Sequence, residues 1–105
     1  MKRYFTYNEH LGIEIPDLQE EWEEIPTAVQ HAILLKWEQI RGKIPDRIQE
    51  LEHTINTKQH KLNNEENFEL SCKLNTEIAD LASIINDLWL WYRLTQNVSE
   101  GKAHQ

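Results

Sequence analysis

Apolar side chains recur at alternating three- and four-residue steps in two stretches of this chain. Ile48, Leu51, Ile55 and Leu62 form the first, with Lys58 in the one skipped slot; Leu74, Ile78, Leu81, Ile85, Leu88 and Tyr92 form the second without a gap. A period of about 3.5 residues keeps one side of a helix turned toward the same neighbour for several turns. The polar run Asn63-Asn64-Glu65-Glu66-Asn67 separates the two stretches. The pattern therefore predicts a long antiparallel, coiled-coil-like helical hairpin over 45–63 and 65–97, followed by a flexible tail over 98–105.

Each proline follows an isoleucine and precedes Asp or Thr, as Ile15-Pro16-Asp17, Ile25-Pro26-Thr27 and Ile44-Pro45-Asp46. Proline suits the first helical position and pushes the residue before it out of the helical region. Each tripeptide reads as a helix start. The expectation is an acidic helix over 16–25 and a second helix over 26–41, ahead of the hairpin. Val29, Ile33, Trp37 and Ile40, widened by Ala28, Ala32 and Leu35, should form the buried face of the second. Gly42 is read as its left-handed stop. Residues 1–15, with Tyr4, Phe5 and Tyr7, show no helical period and are read as an N-terminal arm. The fold class predicted is all-α: one small four-helix domain over 1–97, two shorter helices preceding the hairpin.

The hairpin's second helix outruns the first. Beyond about Ile85, Leu88, Trp89, Leu90, Trp91, Tyr92 and Leu94 point in nearly every direction around the axis. Such a helix end needs cover on more than one side, from the N-terminal half or from a second copy. The same run is broken by Ser83, Asn86, Asp87 and Arg93 and is shorter than the roughly 20 residues of a membrane span. No membrane role is expected.

Charge changes this picture in one place. Glu9, Glu14, Asp17, Glu20, Glu21, Glu23 and Glu24 fall within sixteen residues that hold no Lys or Arg, so the net charge of −7 is concentrated there. Phosphate backbones repel such a surface, which argues against direct nucleic-acid binding. Cys72 is the one cysteine. An internal disulfide is thereby excluded, and with no signal-peptide pattern at the start the chain is expected to be cytoplasmic.

Candidate chemistry is sparse. Cys72 has no nucleophile motif around it, and no Gly-rich phosphate loop or Cys-x-x-Cys pair occurs. Glu50 and His53 have the Glu-x-x-His spacing that puts a carboxylate and an imidazole on one helical face; di-iron bundles need two such motifs, and here there is one. Glu77-Ile78-Ala79-Asp80-Leu81, followed by Ile84, Ile85 and Leu88, resembles the Glu-x-x-Asp helix of the all-α nucleotide pyrophosphatases, the MazG-like family. The resemblance implies magnesium held by Glu77 and Asp80 against a nucleoside triphosphate, with Glu50 and His53 on the neighbouring helix. The family's second motif is Glu-x-x-Glu, and imidazole is a poor magnesium ligand.

The leading functional expectation is a non-enzymatic protein without cofactor that binds a partner protein or itself, as a homodimer. Its surfaces would be the acidic helix, with Leu18, Glu20, Glu21, Trp22 and Glu24, and the aromatic end of the last helix, with Trp89, Trp91 and Tyr92. Aromatic anchors supply buried area while carboxylates steer approach. The alternative is the magnesium-dependent nucleotide pyrophosphohydrolase, with Glu50, His53, Glu77 and Asp80 as metal ligands.

Overall fold

The computed structural model describes the backbone of residues 4–103 and the side chains of residues 4–93. The chain divides into two compact units, Met1–Lys43 and Ile44–Gln105. The first contains strands β1 (Phe5–Asn8) and β2 (Ile13–Pro16), a single 3-10 turn at Trp22–Glu24, and helix α1 (Thr27–Gly42). The second contains helices α2 (Ile44–Asn63) and α3 (Phe68–Ala103).

The all-α four-helix expectation is overturned by the N-terminal unit. Where an irregular arm was expected, β1 and β2 pair antiparallel, with Phe5 opposite Pro16, Thr6 opposite Ile15, Tyr7 opposite Glu14 and Asn8 opposite Ile13. The turn between them is built by Gly12, whose φ of 75° is the left-handed conformation that glycine adopts without a Cβ clash. Its amide donates to the Asn8 carbonyl at 2.8 Å, and the Leu11 amide donates to Asn8 Oδ1 at 2.9 Å. Two strands alone are marginal in water. Here they are held to α1: Lys36 Nζ lies 4.6 Å from the centre of the Phe5 ring and 3.4 Å from Glu14 Oε2.

The acidic helix over 16–25 does not form. Pro16 belongs to β2, and the Asp17 amide extends the ladder by donating to the Tyr4 carbonyl at 2.8 Å. The Asp17 carboxylate accepts from Thr6 Oγ1 at 2.8 Å and from Gln19 Nε2 at 3.1 Å, so it does not cap a helix. Downstream, Glu20, Glu21, Glu23 and Glu24 have no cation at helical spacing to offset their repulsion. Ile25, which precedes Pro26, is held extended at φ −79°, ψ 131°. A helix confined between these two prolines cannot repay the cost of its nucleus, and only the 3-10 turn remains.

Helix α1 buries Ile33 and Trp37, with Val29 and Ile40 half-buried; Ala28, Ala32 and Leu35, expected to widen that face, are exposed instead. Gly42 is its last residue and is not left-handed, since Gly12 alone has positive φ among the described residues. The chain passes through Lys43, in right-handed helical conformation, and re-enters a helix at Ile44.

In the second unit α2 and α3 pack along one another as an antiparallel pair. Ile44, Ile48 and Leu51 on α2 and Leu88 on α3 are buried, whereas Ile55, Leu62, Leu74, Ile78, Leu81 and Ile85 are half-buried. The turn is 64–67, and α3 begins later than expected because Asn67 supplies the cap: its Oδ1 accepts from the Leu70 amide at 3.1 Å. At its other end α3 continues past Asn97 to Ala103. Leu94 lies outside the described side chains.

A Cβ added at Gly42 would meet nothing within 4 Å. Because the backbone there is one that alanine also adopts, Gly42→Ala should raise stability by about 0.4–1 kcal/mol through loss of unfolded-state freedom. Urea unfolding monitored by circular dichroism reads this as a higher midpoint at unchanged slope.

Candidate interaction surface

The aromatic end of α3 keeps part of its apolar surface in solvent. Trp89 is 38% exposed and Leu90 51% exposed, while Trp91 and Tyr92 are half-buried. Trp89 and Tyr92, three residues apart on one side of the helix, meet edge to face, with ring centres 5.6 Å apart and planes at 88°. This contact fixes the Trp89 ring and leaves Leu90, one residue on, pointing elsewhere. At the other end of α3, Phe68 is 80% exposed at the first helical position.

The residues assigned to an acidic helix are dispersed along an irregular segment. Leu18, Glu21 and Glu24 are exposed, and Glu20 and Trp22 are half-buried. Tyr4 Oη donates to Glu20 Oε1 at 3.4 Å, and the Trp22 carbonyl accepts from Gln30 Nε2 at 2.7 Å. Without a helix, Leu18 and Trp22 do not line up as one anchor stripe.

The alternative metal ligands do not converge. Among the described residues no three His, Cys, Asp or Glu side chains form a group able to hold a metal ion. Glu50 Oε2 faces Arg47 Nη1 at 3.6 Å, His53 and Asp80 are exposed, and Glu77 Oε1 accepts from Lys58 Nζ at 3.0 Å. The Lys58–Glu77 pair explains the skipped slot in the first heptad run: Lys58 occupies a seam position and meets its counter-charge on the facing helix. Beside this pair, toward the turn, a cleft of about 490 Å³ has Leu70 and Leu74 among its apolar lining and Lys61, Glu65, Lys73 and Glu77 among its polar lining. Sequence reading missed it because its walls come from both helices and the turn, and no single-helix pattern marks it.

Among the described residues no helix is long and apolar enough to cross a membrane. No family model, curated protein or solved structure matches the chain, so the likeness of 77–88 to the MazG-like helix has no support beyond those residues.

Lys58 holds the Glu77 carboxyl below the usual carboxylate range, first by its hydrogen bond, against a smaller opposing effect of burial, and then by its charge, helped by Lys73 and Lys61. Since the folded-state pKa is the lower one, the pair's contribution is present above the ordinary glutamate value and lost as pH falls through the folded value. Wild type should therefore exceed Glu77→Gln in urea midpoint at neutral pH, and the gap should close as pH falls below the ordinary glutamate value and through the folded one. A gap that persists in acid would mean that the glutamine is disfavoured for reasons other than charge.

Proposed function

We propose that this chain is a small cytoplasmic binding protein that engages a protein partner through the outward side of α3. The observation that carries this reading is the exposure of Leu90 and Trp89 on a helix whose opposite side is already committed to α2. A helix presenting an aliphatic residue on its outward side and, on the adjoining side, an aromatic ring packed on Tyr92 offers anchors that lose little conformational freedom on binding. The dispersed carboxylates of 9–24 add long-range steering toward a cationic partner rather than a docking face. An exposed thiol at Cys72 is compatible with a reducing compartment.

A photo-crosslinking amino acid placed at Leu90 in the full chain should give discrete adducts in the native host. The same probe at exposed Gln49 on α2 should not. Equal or absent labelling at the two positions would remove the support for α3 as the binding side.

A further inference from the structure

Each strand of the β1–β2 ribbon has an outer edge that no third strand pairs with among the described residues, and the ladder identifies which backbone groups of β1 are not used by β2. Pro16 has no amide hydrogen, so its pairing with Phe5 is a non-hydrogen-bonded position, and the Asp17-to-Tyr4 bond marks the neighbouring pair as hydrogen-bonded. By alternation, Tyr4, Thr6 and Asn8 turn their backbone groups toward β2. Phe5 and Tyr7 turn theirs away. No third strand pairs with β1 among the described residues, and Thr6 and Tyr7 are both exposed, Tyr7 at 59%.

Natural edge strands are guarded by charge, proline or a bulge. Strand β2 carries Glu14 and Pro16, whereas β1 is Phe-Thr-Tyr-Asn, with none of these and with three residues of high β-propensity. We infer that β1 is a self-association edge, where two copies pair β1 to β1 antiparallel about a two-fold axis and join their ribbons into one four-stranded sheet.

Alternation allows a register centred on Thr6. Thr6 then faces its own copy in a non-hydrogen-bonded position, about 4.5 Å between Cα atoms. Phe5 faces Tyr7 of the second copy, and their outward groups exchange N–H to C=O bonds twice, once on each side of the axis. Thr–Thr and aromatic–aromatic are favourable cross-strand pairs. Phe5 and Tyr7 also share the face on which Lys36 lies over the Phe5 ring, so the exposed Tyr7 ring gains an aromatic neighbour there. A second copy is the occupant because this register is self-complementary and brings no charged β1 side chain against another.

The test is solution mass by light scattering and sedimentation over a concentration series, on the full chain at low and high salt. Wild type should approach twice 12.6 kDa. Added salt should tighten the dimer, since two copies of net charge −7 repel, the Asp17 carboxylates held by Thr6 included. Tyr7→Pro removes an amide hydrogen that β2 does not use, and Thr6→Lys sets like charges opposite one another across the axis. Each should raise Kd at least about tenfold with an unchanged circular dichroism spectrum, and Thr6→Lys decides the matter if the proline variant misfolds. Leu90→Glu should leave the dimer intact, because this inference is independent of the α3 reading. A monomer at every concentration overturns it, and so does a dimer that survives Thr6→Lys. Loss of the dimer in Leu90→Glu but not in Thr6→Lys would move the contact to α3.

Discussion

Two facing helices can shield only the sides they turn toward each other, and this limit shapes the whole α2–α3 pair. Ile44, Ile48, Leu51 and Leu88 are buried, but from Ile55 to the turn every seam residue keeps some contact with water. A lysine is tolerable in such a seam. Half-buried at its seam position, Lys58 places its ammonium 3.0 Å from Glu77 Oε1, so the charge keeps both a partner and contact with water. A polar residue at one seam position is an attested way to set register.

The N-terminal unit is governed by a different limit, the cost of starting a short helix. Between Pro16 and Pro26 the backbone has room for little more than two turns, filled with carboxylates of one sign. Strand pairing wins there because the aromatic and β-branched residues on either side of Gly12 can close a ribbon, and because α1 offers Lys36 to hold it. Asp17 shows the competition at one residue. Its side chain is the kind that caps helices, yet Thr6 and Gln19 take it and its amide lengthens the ladder.

Both surfaces proposed for association follow from these two limits. A helix packed on one side by a single neighbour leaves apolar residues such as Leu90 on the other, and a ribbon of two strands has edges by construction. The acidic excess meets the ribbon at Glu14 and at Asp17, which Thr6 holds, and elsewhere sets how copies and partners approach more than where they touch.

The α2–α3 hairpin was legible in the residues because a seam sustained over several turns leaves a periodic trace in one dimension: Ile48 to Leu62 and Leu74 to Leu88 name the contacting side directly. The excess of apolar residues at the end of α3 was legible for the same reason, but which of them stay in solvent was not: Trp89 and Leu90 are exposed, whereas Trp91 and Tyr92 are half-buried. The β-ribbon was not, because Phe5-Thr6-Tyr7-Asn8 and Ile13-Glu14-Ile15-Pro16 are too short for a period to stand out, and Ile-Pro-Asp serves a strand end as well as a helix start. The cap at Asn67 was hidden among three asparagines within five residues. Lys58 appeared in the sequence as a gap in a pattern. Only the facing helix, which brings Glu77 to 3.0 Å, turned it into a contact, because charge pairing across helices depends on distance in space and leaves no spacing along the chain.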